Sequence, residues 1–477
     1  MLLIKRFKRI PVGVKASLVY IMASIFSKGL VMITMPIFTR IMTTGEIGIV
    51  NMYNSWNSIL TVITTLSLTS GGFQAALKDF PEERDQYTSS VLSLTTLTAI
   101  VFLGLYFIIP NFWNRLTGLS TKMMLLMIIG FIFLPAKDFW YLRQRYEFKY
   151  KLAGGMSIMT AVISTITAII VVLTMSRSGI EKIAEGRIFA TNIVMLGISV
   201  VMWLNIFLQG KIFYNKKFWR YSLGISLPLV GYAFAIQILN VSDRIMIGKM
   251  VSDSAVGIYG TIFNVSTIPT LVWSAINSSF VPYLYQNIDK EKGKIKRTSL
   301  SLLGAYSIIA VTITFLAPEI IKIFATKEYY EAIYIMPPIA AGIYLTSVSN
   351  MYSNVLIYRK KSSYVMYSSI IAAITNVGLN YICIQKFGYM AAAYTTLVAH
   401  VILAFIQMYF VMIIEKKINS IYYDQYILIM SLATIFCALV GIPLYRVILI
   451  RYFVIIVGMA FGCGMAYHTI KKMKKNK

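Results

Sequence analysis

The sequence predicts an all-α polytopic membrane protein of about fourteen transmembrane helices, in which two pseudo-symmetric six-helix lobes surround a central cavity and two further helices follow. Composition, the length of the apolar blocks and an internal repeat predict this fold. Hydrophobic residues make up 58% of the 477 residues and charged residues 13%, whereas a soluble domain has about 25% charged residues. The apolar residues form blocks of about twenty residues, which is long enough to cross ~30 Å of hydrocarbon.

The apolar blocks give the approximate ends of each span. Loops between them are about sixteen residues long or shorter, which leaves no room for a soluble catalytic domain on either side of the membrane. The predicted spans are residues 16–38, 47–71, 88–109, 123–141, 152–175, 188–208, 221–247, 256–284, 300–318, 332–357, 364–384, 390–414, 426–444 and 452–470.

The distribution of basic residues predicts the orientation of the chain. The formal net charge is +27, but the basic residues lie in short clusters between apolar blocks, which is typical of membrane proteins and not of a nucleic-acid-binding surface. With both termini in the cytoplasm, about two thirds of the 45 Lys and Arg residues lie on the cytoplasmic side. We therefore expect a multi-pass protein with cytoplasmic termini and no nucleic-acid partner.

A repeat with an offset of 209 residues relates the two halves of the chain. The segment TRIMTTGEIGIV, which includes Thr43 and Gly48, resembles GKMVSDSAVGIY, in which Ser252 and Gly257 take the matching positions. The offset covers an even number of predicted spans, so both halves enter the membrane in the same sense, and a ligand site is expected between them. The predicted domains are an N-lobe at 1–210, a C-lobe at 211–418, and appended spans 13 and 14 with a basic cytoplasmic tail at 419–477.

Spans 2 and 8 carry matching polar side chains. A spacing of three residues places Ser58 and Thr61 on one face of span 2, and Asn264 and Thr267 on one face of span 8. Hydrocarbon disfavours such a stripe, so we expect it to face protein or a water-filled cavity. Packing between helices through Ser and Thr is the alternative; the matched repetition favours a cavity lining.

Several short motifs resemble those of a known family, the oligosaccharide flippases of polysaccharide biosynthesis, within the multidrug/oligosaccharidyl-lipid/polysaccharide exporter (MOP) superfamily. The resemblance is strongest from about residue 240 to 400. The motifs that carry it are DRIMIG at 243–248 with VGIY at 256–259, IIKIF at 320–324 with YYEA at 329–332, and NVGLN at 376–380 with KFGYMAAA at 386–393.

The resemblance implies a transporter and not an enzyme. Its expected activity is to flip a lipid-linked oligosaccharide, carried on undecaprenyl pyrophosphate, from the cytoplasmic to the outer leaflet of a bacterial cytoplasmic membrane by alternating access. The expected partners are this substrate, membrane lipids, a coupling ion (H+ or Na+), and a polysaccharide polymerase with its chain-length machinery. Many relatives have twelve spans, and the fourteen here are similar to those of the lipid II flippases.

Charged residues inside the predicted spans are the main candidate site residues. Lys28 lies near the middle of span 1, where a lysine costs about 2.5–3.5 kcal/mol to insert, so it should face a cavity or a partner. Arg244 lies near the outer end of span 7, with Gln237 and Asn240 on or near the same helical face. These cations suit a pyrophosphate, while an ion pair or snorkelling within the protein is the alternative for each.

Lys137 and Asp138 lie near the cytoplasmic end of span 4. Snorkelling to the membrane interface accounts for Lys137, and Asp138 is a candidate ligand for a coupling cation. No cofactor and no metal site are expected.

Two other functions were weighed against an oligosaccharide flippase. A multidrug/cation antiporter of the same superfamily would need carboxylates in the first lobe, and spans 1 to 3 contain none. A lipid II-type flippase is a further alternative. A membrane polysaccharide polymerase or glycosyltransferase would need a large outer loop or a soluble acidic domain. No Walker A motif is present, so transport is expected to use an ion gradient, the substrate gradient, or both.

Overall fold

The computed structural model describes residues 12–69, 72–418, 425–458 and 460, and every element in these ranges is a helix. This confirms an all-α polytopic membrane protein. The helices are α1 (Val12–Ile41), α2 (Thr44–Thr65), α3 (Gly72–Asp79), α4 (Arg84–Ile108), α5 (Pro110–Thr117), α6 (Thr121–Tyr146), α7 (Tyr150–Arg177), α8 (Ile183–Gly210), α9 (Lys216–Met250), α10 (Asp253–Ser266), α11 (Pro269–Asn287), α12 (Lys292–Phe315), α13 (Ala317–Phe324), a 3₁₀ helix (Lys327–Ile335), α14 (Met336–Tyr358), α15 (Ser362–Phe387), α16 (Ala391–Ile418), α17 (Gln425–Leu444) and α18 (Ile448–Gly458).

By its internal contacts the chain separates into two compact units, Met1–Ile238 and Leu239–Lys477, which are called unit 1 and unit 2 below. The boundary between them falls inside α9. The order of elements in α1 to α8 recurs in α9 to α16, including an eight-residue helix after the fourth helix of each series. The recurrence follows from the sequence repeat, because equivalent residues begin equivalent helices.

The caps of α2 and α10 show the register of the repeat. Thr43 caps α2 by accepting a hydrogen bond from the backbone N–H of Glu46, and Ser252 caps α10 by accepting one from the N–H of Ala255. The first residues of these helices, Thr44 and Asp253, are 209 residues apart. Because a side-chain cap stabilises a helix by about 1 kcal/mol, a hydroxyl at this position fixes the start of the helix in each half.

Fewer helices meet the criteria for a membrane span than the fourteen predicted. Within the described ranges, eleven helices are long and apolar enough to cross a membrane, and the pair α10 and α11 adds a twelfth if it forms one bent span. Two predicted spans are not among them: α2 is not apolar enough, and only the first part of the last predicted span lies within the described residues, in α18. The count of fourteen therefore stays a prediction.

Span 8 is broken, which corrects the prediction of one continuous helix over 256–284. Helices α10 and α11 meet at a bend of 41°. Pro269 begins α11, and proline has no N–H to donate and restricts the residue before it, so the first helix ends at Ser266. The polar stripe predicted on span 8 does not continue along one helical face, because Thr267 lies at the break.

The ends of other elements also differ from the predictions. Span 2 ends at Thr65 and not at residue 71, because Leu66 and Ser67 adopt left-handed backbone conformations that stop the helix. Two eight-residue helices, α5 and α13, lie in segments for which no helix was predicted. Each has a proline in its first turn, a position where the missing N–H costs no helical hydrogen bond.

Helix α17 packs against α12 and α14, and α18 is tied to α13. Arg451 of α18 is 2% exposed and forms an ion pair with Glu319 of α13, whose carboxylate also accepts a hydrogen bond from the hydroxyl of Tyr452 at 3.1 Å. In the predicted topology all three residues lie at the outer end of their spans. The contact therefore fixes α18 to the same end of unit 2 as α13.

Candidate functional site

A polar pocket of about 490 Å³ lies within unit 1. One face of each of three helices forms its wall, because the lining positions recur at spacings of three and four residues. The lining side chains used below are Tyr20, Ser24, Ser27 and Lys28 of α1, Asp138, Tyr141 and Arg145 of α6, and Ser157 of α7.

Close packing of α1 against α7 closes one side of this pocket. A methyl group at Gly154 of α7 would lie 2.7 Å from the side chain of Val19 in α1, a distance at which something must shift. Glycine therefore allows the two helices to approach each other here. The face that carries Tyr20, Ser24 and Ser27 is thereby placed beside Ser157.

Three charged side chains line the pocket at two depths. Arg145 lies in the last turn of α6, with its guanidinium 4.9 Å from the centre of the Tyr20 ring, a cation–π contact. Asp138 is seven residues before Arg145, and Lys28 is eight residues after Tyr20, which places them about 10 and 12 Å along their helices from that contact. With α1 and α6 crossing the membrane in opposite directions, as predicted, Lys28 and Asp138 lie at similar depth.

None of these three charges is held in an ion pair among the described residues, and all three are exposed. The neighbouring Arg143 behaves differently. It forms ion pairs with Asp85 and, at 2.9 Å, with Glu147. Arg143 therefore joins the end of α6 to the start of α4, whereas Lys28, Asp138 and Arg145 are open to the pocket.

Lys137 does not line the pocket, although it precedes Asp138 in the chain. Its ammonium nitrogen lies 3.9 Å from the sulfur of Met195 in α8. Consecutive residues point about 100° apart on a helix, so the two side chains leave α6 in different directions. Lys137 is a lysine at nearly the depth of Asp138 that is not part of the pocket wall.

The polar residues predicted on span 2 form hydrogen bonds within their own helix. The hydroxyl of Ser58 donates to the carbonyl of Asn54 at 2.9 Å, and that of Thr61 donates to the carbonyl of Asn57 at 2.6 Å. Neither residue lines the pocket around Lys28. Backbone carbonyls thus satisfy these hydroxyls, and no ligand is needed to do so.

In unit 2 the structure brings Arg244 together with α10. The guanidinium carbon lies 4.3 Å from the centre of the Phe263 ring, and the buried Nε has no hydrogen-bond partner among the described residues. Asn264, next to Phe263, is exposed, and its carbonyl accepts the hydroxyl hydrogen of Thr267 at 2.7 Å. Arg244 therefore shares a small region with both predicted residues of span 8.

The remaining two predicted residues lie on α9. Gln237 is half-buried at the end of unit 1, and Asn240 is exposed in unit 2. Neither makes a described side-chain hydrogen bond.

A buried polar cluster in unit 2 is the principal feature that the sequence reasoning did not identify. Asp243 is 1% exposed and accepts hydrogen bonds from the hydroxyl of Tyr259 at 2.6 Å and from the backbone N–H of Arg244 at 2.8 Å. Ser242 beside it donates to the side-chain oxygen of Asn376 at 2.8 Å. The cluster therefore links α9 to α10 and α15.

The cluster continues from α15 to α16. Asn376 donates to the hydroxyl of Thr396 at 3.2 Å and accepts from Asn380 at 3.2 Å, and Asn380 accepts from Thr395. All four residues are buried. The spacing of four residues between the two asparagines, in a segment already singled out by its resemblance, is the signal that indicates a shared buried face. The corresponding signal for Arg145 is its spacing of seven residues from Asp138, which places the two side chains on one face of α6.

Comparison with known proteins places the chain in a family. A family model described as "Polysaccharide biosynthesis protein" matches residues 14–288, and one described as "MatE" matches residues 228–382. The Haemophilus influenzae protein described as "Lsg locus putative protein 1" is 23% identical over 213 residues, which are 41% of this chain and 51% of that protein. The chain therefore matches about half the length of this curated relative.

Solved structures of low sequence identity share the fold. A structure described as "Lipid II flippase MurJ, inward closed conformation" has a TM-score of 0.70 at 16% identity, covering 94% of this chain and 98% of that one. An inward-facing multidrug resistance MATE family transporter of the MOP superfamily has a TM-score of 0.61 at 11% identity, covering 85% of this chain and 95% of that one. Because the first family model matches more than half of the residues, the chain belongs to the polysaccharide biosynthesis protein family and has the fold of the MOP-superfamily transporters.

Proposed function

We propose that this protein flips an undecaprenyl-pyrophosphate-linked oligosaccharide from the cytoplasmic to the outer leaflet of a bacterial cytoplasmic membrane, for surface polysaccharide biosynthesis. The pocket of unit 1 is the observation that carries the proposal. Lys28 and Arg145 are exposed there without a fixed carboxylate partner. A diphosphate is a ligand that such cations bind strongly, through charge-assisted hydrogen bonds.

The proposed mechanism is alternating access, in which two lobes rock about a site that opens first to one side and then to the other. The lipid tail stays in the membrane while the polar head group loses bulk water. An anion in a site of low dielectric constant is heavily penalised unless positive charge compensates it. Lys28 of α1 is the proposed contact of the diphosphate in unit 1, and Arg244 of α9, the corresponding helix of the second half, is a proposed substrate contact in unit 2.

An H+ or Na+ gradient is the proposed driving force, alone or together with the substrate gradient. The buried cluster around Asp243 supports this proposal. A carboxylate, two carboxamide oxygens and several hydroxyls lie together there. All are hard oxygen ligands for a small cation, and the carboxylate can accept a proton. Asp243→Asn is expected to remove any dependence of transport on the coupling ion while leaving substrate binding in place.

A lipid II-type flippase is the second candidate. Its support is the fold shared with the lipid II flippase structure over 94% of this chain. A multidrug/cation antiporter has the weaker support of a lower TM-score, and its substrates are cations, which the exposed Lys28 and Arg145 would repel.

A reconstituted transport assay separates these functions. Proteoliposomes containing the protein would carry a fluorescent undecaprenyl-pyrophosphate-linked oligosaccharide, lipid II, or a cationic dye in parallel experiments. We expect translocation of the first substrate, inhibition by excess undecaprenyl pyrophosphate, and recovery of surface polysaccharide in cells that lack their own flippase. Transport of lipid II alone would establish the second candidate, and transport of the dye alone would overturn both.

The proposed topology places both termini in the cytoplasm, with a polysaccharide polymerase and its chain-length machinery as partners that receive the product outside. Three ion pairs support the relative placement of the loops, because each joins two segments assigned to the cytoplasmic side: Arg143 with Asp85, Lys217 with Glu83, and Arg359 with Asp289. Labelling of intact cells with an impermeant thiol reagent tests the map. Ser254→Cys should react and Lys216→Cys should not; the reverse pattern would invert the topology.

A further inference from the structure

Asp138 presents a problem for an anion-binding pocket. It lies on the same face of α6 as Arg145, one helical turn from the lining residue Tyr141, and is exposed to the pocket. Its carboxylate, when ionised, repels a diphosphate in the same space. A carboxylate whose only role was structural would be expected to be paired, as Asp85 and Glu147 are with Arg143.

We propose that Asp138 is the internal counter-ion of this pocket. It balances the charge of Lys28 and Arg145 while the pocket is empty, and it competes with the diphosphate for them, which weakens substrate binding enough for release. The inference rests on the proposed function and adds a residue that opposes binding. Asp138 is a positioning residue, because it acts on the substrate through the two cations.

The positions of the three charges indicate that the carboxylate acts most strongly on Lys28 and more weakly on Arg145. Arg145 is held at the mouth of the pocket by its contact with the Tyr20 ring, whereas Lys28 and Asp138 lie about 10 to 12 Å deeper. A lysine and an aspartate at similar depth attract each other across the pocket without being locked in a hydrogen-bonded pair. When the diphosphate enters, the lysine can exchange one anion for another.

The net charge of the pocket shows why this exchange matters for turnover. Lys28 and Arg145 alone would give two positive charges in a partly dehydrated space, where their attraction for a diphosphate is stronger than in water. Very tight binding slows release, and a transporter that cannot release its substrate does not turn over. Asp138 lowers the net positive charge by one and so weakens the bound state.

The test is a double-mutant cycle on the full-length purified protein in detergent, with binding of undecaprenyl pyrophosphate as the measured quantity. Asp138→Asn keeps the shape of the side chain and removes its charge, and we expect it to tighten binding about tenfold. Lys28→Ala should weaken binding. In the Lys28→Ala background, Asp138→Asn should have a markedly smaller effect, because coupled residues are not additive.

Two controls and one kinetic readout accompany the cycle. Glu82→Gln and Lys216→Gln remove single charges from exposed cytoplasmic positions outside the pocket and should leave the dissociation constant unchanged. Inorganic pyrophosphate, as a competitor without a lipid, should show the same direction of change in Asp138→Asn, because the counter-ion acts on the diphosphate. In proteoliposomes, Asp138→Asn should bind more tightly yet transport more slowly than the wild type.

The outcomes distinguish this inference from the proposed function. If the wild type binds undecaprenyl pyrophosphate but Asp138→Asn binds it equally or more weakly, the counter-ion role is wrong and the proposed function stands. An effect of Asp138→Asn that is the same with and without Lys28 also removes the proposal. If the wild type does not bind the diphosphate lipid, the proposed function itself fails.

Discussion

The two units share an order of helices but differ in whether their principal charged residues are open to a pocket or buried in hydrogen bonds. In unit 1, Lys28, Asp138 and Arg145 are open to a pocket and lack fixed partners. In unit 2, Asp243 is 1% exposed and is hydrogen-bonded within a cluster that extends to α16. The repeat therefore keeps the order and the starts of the helices, while their lengths and the polar chemistry of the halves differ. We infer that the pocket of unit 1 binds the charged group of the substrate. We also infer that the cluster of unit 2 is a structural element and an ion site.

Removing Lys28 is expected to give the largest effect. A charged hydrogen bond to an anion contributes about 1.5–3 kcal/mol, so Lys28→Ala should reduce transport roughly tenfold or more at normal protein abundance. Lys28→Arg should keep part of the activity, because it keeps the charge. The measurement is complementation of surface polysaccharide, normalised to membrane protein level.

Lys137→Ala is the matched control for that experiment, because Lys137 is a lysine of the same membrane region that does not line the pocket. It should transport normally. Full complementation by Lys28→Ala and Arg244→Ala, separately and together, would remove the cationic mechanism. A loss of protein abundance with intact transport per molecule would assign Lys28 a structural role instead.

In unit 2, removing Asp243 should reduce stability. Asp243→Ala leaves the buried hydroxyl of Tyr259 and the backbone N–H of Arg244 without an acceptor, and an unsatisfied buried polar group costs about 1–3 kcal/mol. Asp243→Asn keeps an acceptor oxygen and should be milder. Thermal unfolding in detergent measures both. Equal stability of Asp243→Ala and the wild type would show that the cluster is not a structural element.

Two arginines of α6 allow the comparison to be made within one turn of helix. Arg143→Ala should lower the free energy of unfolding by roughly 1–2 kcal/mol, because Asp85 and Glu147 lose their partner. Arg145→Ala should lower stability less than Arg143→Ala and weaken substrate binding, because among the described residues it loses its contact with the Tyr20 ring and no carboxylate partner. The same thermal and binding assays apply to both variants. Reversed results would exchange the roles assigned to the two residues.

The smallest effect is expected at Asp289 of unit 2, in the short segment between α11 and α12. A hydrogen bond from the hydroxyl of Tyr358, together with Arg359, lowers the pKa of Asp289 below its usual value. A lowered pKa in the folded state means that this carboxylate stabilises the protein above the unfolded pKa, near 4, and that the stabilisation is lost as the pH falls through the folded value. The Asp289 side chain is 53% exposed, and solvent screens its interactions, so about 0.5–1 kcal/mol or less is involved.

The stability of Asp289→Asn relative to the wild type should therefore depend on pH. Thermal unfolding should show a gap at pH 7 that is smaller at about pH 3, below the unfolded pKa. Tyr358→Phe removes the hydrogen bond that contributes most to the shift and should reproduce part of the gap. A gap of the same size at both pH values would show that the ionised form of Asp289 is not the stabilising species.

Much of the fold could be predicted from the sequence. The blocks of about twenty apolar residues predict membrane-crossing helices, because a single segment in hydrocarbon can pair all of its backbone N–H and C=O groups within itself only as a helix. The repeat predicts the matched starts of α2 and α10, since Thr43 and Ser252 are residues that cap helices. The break at Pro269 was missed, although the proline is visible, because membrane helices often continue through proline, as α6 does at Pro135.

The sequence by itself determined the class of the protein and the register of its repeat, because both depend on local pattern. It also identified Lys28 as a candidate site residue, because placing a charge in a membrane is costly. Only the tertiary structure decided which charges are partnered. Arg143 and Arg145 are two residues apart and chemically identical, yet one is held by two carboxylates and the other faces a pocket. Partners 58 residues away in the chain, as Asp85 is from Arg143, are set by helix packing, which the local sequence pattern does not encode.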